Sequence, residues 1–213
     1  MTIDLYTWST PNGYKVSIML EECGLDYNVK PVNIRDGEQF APEFLKISPN
    51  NRIPAIVDPD GPGGKPIILM ESAAILIYLA DKTGKFLPAS GEARYRALEW
   101  SMWQMGNIGP MLGQLSHFIN SAPEQIPYAI GRYLDETARL FRILDQRLGN
   151  HDYMAGDYSI ADMLTYPWIK PGFERILAMK KDDIGEGANI TRWMKELEAR
   201  PAIQAGMIVP KTS

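Results

Sequence analysis

Residues 5–15 read L-Y-T-W-S-T-P-N-G-Y-K, and the turn at their centre decides the fold. Ahead of it, Ile3 and Leu5 alternate with polar neighbours as in a half-buried strand, with Tyr6 beside them. Behind it, Val16, Met19, Leu20 and Cys23 recur at i, i+3, i+4 and i+7, the stripe of an amphipathic helix. Gly24 supplies a left-handed stop to that helix. Thr10 is a good N-cap, and Pro11 suits the first helical position. The chain therefore opens strand–turn–helix, and its turn carries Ser9, Thr10 and Asn12 but no cysteine.

Working outward, residues 26–33 read as a second strand, with Pro31 pointing to a sheet edge or an early end. A loop, D-G-E-Q-F, and a short helix near 42–48 follow. Two short apolar strands, 55–58 and 66–70, flank the Gly/Pro-rich P-D-G-P-G-G-K-P, a hairpin pattern. A helix opens at Ser72 and runs to about Thr83, where Gly84 stops it. The order is βαβ, α, then ββα. From about residue 92 strand signals vanish, and helical patterns cover roughly 92–118, 124–148, 160–180 and 189–199. The predicted organisation is an α/β domain over 1–84, a linker-like G-K-F-L-P-A-S-G, and an all-helical domain over 92–213.

Composition narrows the function. The 213 residues carry a net charge of −4, with Lys and Arg scattered, which argues against a nucleic-acid partner. M-T-I-D-L-Y has neither a basic start nor an apolar core, and no apolar run is long enough to cross a bilayer. A single cysteine, Cys23, excludes an internal disulfide framework and any Cys-x-x-Cys pair. The expectation is a cytoplasmic, soluble protein without a membrane partner. D-G-P-G-G-K-P mimics a phosphate loop, but Pro66 stands where a magnesium-binding hydroxyl belongs. His117 and His151, the only histidines, are far apart in sequence, so no metal is expected.

Three loci in the α/β half speak to one ligand. Thr10-Pro11-Asn12-Gly13 offers a hydroxyl, an amide and free helix N–H groups to an anion. A thiolate there gains from the helix dipole, although a plain helix start explains the same residues. Ser48-Pro49-Asn50-Asn51-Arg52-Ile53-Pro54-Ala55 is a polar loop entering a strand; a cis Ile53–Pro54 bond would present a backbone edge to an extended peptide. At Glu71-Ser72, Ser72 reads as an N-cap. The pair also suits an amino acid's backbone, with the helix N-terminus for a carboxylate and Glu71 for an ammonium. A stabilised thiol, a held peptide and a held α-amino-acid end together describe glutathione, a tripeptide with a γ-linked glutamate.

With these motifs in this order, the chain resembles a glutathione transferase along its whole length. Asp157-Tyr158-Ser159-Ile160-Ala161-Asp162 is similar to the family's helix-start signature, a Ser N-cap with an acid three residues on. Thr10-Pro11-Asn12-Gly13, F-L-K-I-S-P-N-N-R-I-P-A-I-V-D and G-P-M-L-G-Q followed by I-P-Y-A-I resemble the bacterial nu class, relatives of the yeast nitrogen-regulatory prion protein. The resemblance implies a thioredoxin-like N-terminal domain with a mixed four-stranded sheet, an all-α C-terminal domain and a homodimer. It implies that Thr10 and Asn12 serve the glutathione sulfur in place of a catalytic cysteine, tyrosine or serine. It also implies that Gln39, Ile53, Glu71, Ser72 and Arg132 bind glutathione, with Arg52 and Pro54 beside Ile53. Ser9 stands where the class carries a proline, which leaves two hydroxyls near the sulfur.

The function this implies is a glutathione-dependent disulfide reductase, with glutathione or its disulfide as co-substrate and no metal. Two alternatives stay open. One is ordinary conjugation of an electrophile or peroxidase activity, with Tyr6 as the sulfur's donor. The other is a glutathione-binding regulatory module without turnover. In the helical half, Gly106, Gly109 and Pro110 demand a bend within 92–118, while its Met and Trp residues suit core packing. Cys23, on an apolar stripe, reads as a buried structural thiol.

Overall fold

In the computed structural model, which describes residues 2–211, the alternation of Ile3, Leu5 and Thr7 with Asp4 and Tyr6 builds β1 (Ile3–Thr7), whose first set is buried. It leads into α1 (Pro11–Cys23), which Gly24 ends at φ 68°. Then come β2 (Tyr27–Pro31), a 3-10 turn at Glu38–Phe40, α2 (Pro42–Leu45), β3 (Ala55–Asp58), β4 (Ile67–Met70) and α3 (Ser72–Thr83). The sheet order is β2-β1-β3-β4, with β1 and β2 parallel and the other pairs antiparallel. This is the mixed four-stranded sheet of a thioredoxin-like unit, and β2 takes the edge that Pro31 predicted.

Register fixes what the sheet presents at one end. Tyr6 of β1 pairs with Ala55 of β3, and Ala55 pairs with Met70 of β4. The turn after β1, the loop before β3 and the junction after β4 therefore emerge side by side. Neighbouring strands are about 4.8 Å apart, so the three loci span about 10 Å.

The stripe Val16, Met19, Leu20 and Cys23 is buried as expected, but so are Lys15, Ser17 and Ile18. For Ser17 and Ile18 the cause is a last helix, α11 (Pro201–Gly206), that packs on α1. Gly206 meets α1 so closely that a Cβ there would lie 2.6 Å from Ile18 backbone atoms. Ser17 Oγ donates to the Gly206 carbonyl at 2.6 Å, and Arg200 grips Glu22 through two hydrogen bonds of 2.7 and 2.8 Å. The chain from Glu198 onward thus belongs with the unit that runs up to Ala89, and the second unit is Ser90–Leu197. Sequence pattern alone placed that last segment with the helical half.

The helical unit contains α4 (Gly91–Trp103), α5 (Gly109–Asn120), α6 (Pro127–Asn150), α7 (Ile160–Ile169), α8 (Phe173–Met179), α9 (Lys181–Ile184) and α10, whose span is Ala188–Glu198. The bend expected from Gly106, Gly109 and Pro110 is a wide π turn at Gln104–Ile108, next to the proline that lacks an N–H to donate. The helix expected over 160–180 is broken after Ile169, where Lys170-Pro171-Gly172 cannot continue it. Among the described residues, no helix is long and apolar enough to cross a membrane.

The core of this unit is organised by Asp162. Ser159 caps α7, and the Asp162 carboxylate reaches back to the Ser159 N–H at 3.1 Å. The same carboxylate accepts from the Met154 N–H at 3.0 Å and the Trp193 indole at 2.9 Å. Burial pushes its pKa up to about 6 against these donors, which pull the other way. A carboxyl whose folded pKa is raised binds its proton more tightly in the folded state. Its contribution to stability is therefore present below the ordinary 3.8 and lost as pH climbs through about 6. The stability of the parent protein minus that of Asp162→Asn should fall by about 3 kcal/mol between pH 4 and pH 7, at 1.36 kcal/mol per pKa unit. Urea unfolding of both proteins across that range checks it; a constant difference would contradict it.

Candidate functional site

The turn that opens α1 is shaped by a backbone collision avoided. A Cβ on Gly13 would lie 2.2 Å from the Trp8 carbonyl oxygen and 2.5 Å from Thr7 Oγ1. Only glycine lets the helix begin this close to the strand that feeds it. Thr10 is the N-cap, as predicted, with extended backbone and its Oγ1 accepting from the Gly13 N–H at 3.2 Å. That bond uses a lone pair and leaves the hydroxyl proton to donate elsewhere. Ser9 is committed differently: its Oγ donates to the Pro210 carbonyl at 3.3 Å. Of the two hydroxyls, Ser9 ties the turn to the C-terminal segment and Thr10 faces its own helix. Asn12 occupies the second helical position, within the positive end of the α1 dipole.

Tyr6 lies on the face of β1 opposite Leu5. Its ring packs on Phe44, with centroids 6.2 Å apart, against the cluster of Val32, Phe44 and Ile53. Burial, then the nearby Asp4 carboxylate, raise its pKa. It is a neutral, packed phenol.

The second locus is preorganised by Ser48, which is fully buried. Ser48 Oγ donates to the Arg52 carbonyl at 2.8 Å, and the Ser48 carbonyl accepts from the Asn51 N–H at 2.9 Å. The Ile53–Pro54 bond is cis, the side chains of Ile53 and Pro54 are buried, and Arg52 is exposed. Gln39, in the 3-10 turn, has a buried side-chain carbonyl oxygen with no hydrogen-bond partner among the described residues. Leaving a buried acceptor unmet costs about 1–3 kcal/mol.

At the third locus the expectation needs correcting by one position. Ser72 is the first residue of α3, not its N-cap; the cap position falls to Glu71, at φ 70° and ψ 110°. A left-handed glutamate stores about 1–3 kcal/mol of strain. Glu71 makes no side-chain cap bond to the first N–H groups of α3, the end of a helix that favours an anion.

Lys15 was missed. It is 1% exposed, and its Nζ donates to Ser72 Oγ at 3.4 Å, joining the first locus to the third. Burial brings its pKa down to about 7, against the opposing pull of Glu71. The available signal was register: Lys15 stands four residues before Met19 and eight before Cys23, on the apolar stripe itself.

Cys23 closes the far end of α1, 6% exposed beside Thr83 Oγ1 at 3.5 Å, and burial pushes its thiol pKa up. At 1.5 Å per residue it lies about 18 Å along the helix axis from Pro11. Arg132 belongs to the helical unit. It is exposed on α6 and lines a cavity of about 830 Å³ with Met111, Tyr128, Glu136 and Arg139. Arg139 grips Glu136 at 2.7 and 2.8 Å and holds that carboxyl below its usual range.

Comparison with known proteins agrees with this geometry. The glutathione S-transferase N-terminal domain profile matches residues 10–82, and the glutathione S-transferase C-terminal domain profile matches residues 123–201. The disulfide-bond oxidoreductase YfcG of Escherichia coli is 47% identical over 202 residues, which cover 94% of this chain and 92% of that protein. A glutathione transferase family member from Pseudomonas fluorescens, solved with two glutathione bound, superposes with a TM-score of 0.92 at 45% identity, covering 98% of this chain and 93% of the other. A glutathione transferase from Pseudomonas putida, with one glutathione disulfide per subunit, gives a TM-score of 0.91 at 44% identity over 98% and 92% of the two chains.

Glycine substitutions separate the strained turn from ordinary helix. Gly13→Ala should destabilise the protein by about 1–3 kcal/mol or more, because the carbonyl it strikes is backbone and cannot swing away. Gly131→Ala on α6, where a Cβ meets nothing within 4 Å, should instead stabilise it by about 0.5–1 kcal/mol. Thermal or urea unfolding of the two variants reads both signs.

Proposed function

Because this chain belongs to the glutathione S-transferase family, we propose that it is a glutathione-dependent disulfide-bond reductase that uses the thiolate of bound glutathione and no cysteine of its own. The observation that carries this is the register of β1, β3 and β4, which sets a donor-rich turn without a thiol beside the Ile53–Pro54 loop and a helix N-terminus that has no side-chain cap bond. Three loci spanning about 10 Å match a tripeptide, which extends to roughly 10 Å. The sulfur sits at Thr10 and Asn12, the peptide lies along Ile53 and Pro54 with Arg52 beside it, and the γ-glutamyl end meets Glu71 and Ser72. Gln39 offers its unmet carbonyl to a ligand N–H. Arg132, on α6, is assigned to glutathione binding on the family resemblance. The lone thiol of the chain, buried at the far end of α1, supports the absence of a protein nucleophile.

The chemistry follows from the donors. A thiolate accepts hydrogen bonds more strongly than a thiol, so the Thr10 hydroxyl, the Asn12 amide and the α1 dipole all favour ionisation. The thiolate attacks one sulfur of a small disulfide, forming a mixed disulfide and releasing the first thiol once protonated. A second glutathione attacks the glutathionyl sulfur, releasing the second thiol and glutathione disulfide. One disulfide and two glutathiones give two thiols and one glutathione disulfide, so electrons balance. Relatives solved with two glutathione, or with its disulfide, fit a site that holds both partners. Thr10-Pro11-Asn12-Gly13 further supports membership of the nu class, acting as a homodimer in a compartment that keeps glutathione reduced.

Asn12→Ala tests the proposal. It should raise the pKa of the bound thiol by about one to two units, at 1.36 kcal/mol per unit, and lower turnover of hydroxyethyl disulfide at neutral pH about tenfold. Binding of glutathione disulfide, which has no thiolate, should change little. Ultraviolet titration of the bound thiolate and calorimetry with the disulfide read the two effects. An unchanged thiol pKa removes Asn12 from the mechanism.

A further inference from the structure

The chain from Arg200 to Pro210 runs back along α1 and is fastened to it at three places. Arg200 grips Glu22 near the C-terminal end of α1, and the Gly206 carbonyl accepts from Ser17 Oγ in the middle. The third fastening lies ahead of the helix, where the carbonyl of the buried Pro210 accepts from Ser9 Oγ, one residue before the Thr10 cap. On the other side of Ser9, the Trp8 carbonyl accepts from the Thr10 N–H at 2.7 Å and lies against Gly13. The turn is therefore held from two directions, by the strand that feeds it and by a segment about 200 residues later. A hydroxyl has one proton to give. Ser9 gives its proton to Pro210, whereas Thr10 accepts from the Gly13 N–H and keeps its own.

Resting on the placement of the glutathione thiol at Thr10 and Asn12, we infer that Ser9 is a positioning residue of the thiol locus. Through Pro210 it holds the turn against the segment that follows α11, and it is not a donor to the sulfur. Order in residues 207–211 and occupancy of the thiol locus are then coupled. By linkage, the factor by which the tether strengthens binding is the factor by which ligand strengthens the tether. The two roles open to a serine here leave different signatures. Fixing the turn costs the same whatever the charge on the sulfur, whereas a direct donor favours thiolate over thiol.

The test uses glutathione and S-methylglutathione, whose sulfur cannot ionise. Ser9→Ala should weaken both by the same factor, about threefold to tenfold, the worth of one neutral hydrogen bond. The pKa of the bound glutathione thiol should stay at its parent value. A thiol pKa raised by about one unit or more would make Ser9 a sulfur donor and overturn the inference. Unchanged affinities would overturn it too, because the tether would then do nothing for the site. A measurement on the unsubstituted protein guards against a misfolded variant. The Ile208 and Val209 N–H groups donate to the Ala205 and Gly206 carbonyls at 3.4 Å, long bonds whose opening hydrogen exchange reads. Saturation with S-methylglutathione should slow their exchange in the parent protein by about that same factor, and the slowing should vanish in Ser9→Ala. Exchange in the parent protein that ignores the ligand would contradict the coupling while leaving the site in place. If the parent protein binds neither ligand, the assignment of the thiol locus fails first and the inference falls with it.

Discussion

The approach of the first turn of α1 to the end of β1 is the constraint on which the site depends. With the Trp8 carbonyl 2.2 Å from where a Gly13 Cβ would sit, helix and strand share a junction with no room for a side chain. That junction sets Thr10, the N-cap, and Asn12, the second helical residue, directly after the end of β1. It also fixes the path of α1 across the sheet, which carries Lys15 beneath Ser72. Position 13 thus governs how the first turn of α1 leaves β1, at the locus that the proposed function assigns to the thiol.

Two helix N-termini at one edge of a sheet make a field that selects anions, and the side chains divide that field between two of them. At α1 the partners are a hydroxyl and an amide, which strengthen a soft anion such as a thiolate without neutralising it. At α3 the neighbours are a glutamate at positive φ, a buried serine and a buried lysine, the locus that the proposed function gives to the amino-acid end of the ligand. Thiol–disulfide chemistry ordinarily draws on a cysteine at a helix N-terminus. Here the helix N-terminus carries Thr10 and Asn12 and no cysteine, and the proposed function draws the thiol from the ligand. Cys23, at the opposite end of the same helix with its pKa raised by burial, has neither the dipole nor the access to serve.

Much of this was legible in the sequence, because much of it is local. The 3.6-residue stripe, the Thr10 cap and the stops at Gly24 and Gly84, both at φ 68°, are settled within a few residues of one another. The order of strands and the hairpin were legible too, and the edge position of β2 followed from Pro31. What escaped depends on parts of the chain far apart in sequence. Ser9 is claimed by Pro210, 201 residues away, and the docking of α11 on α1 buries a face that a single stripe leaves open. Gly13 read as part of a turn, but its reason is a backbone approach that only the packed strand and helix reveal. Lys15 went unnoticed because its partner, Ser72, lies 57 residues on. The shift of the α3 cap from Ser72 to Glu71 came from a left-handed φ that a glutamate rarely adopts.

The central claim is that the reacting thiol comes from glutathione alone, and turnover without any protein sulfhydryl tests it most directly. Cys23→Ala, which leaves the chain with no cysteine, should reduce hydroxyethyl disulfide with glutathione at essentially the parent rate when coupled to glutathione reductase. Loss of turnover in a Cys23→Ala protein whose unfolding is unchanged would contradict the account and make Cys23 a participant.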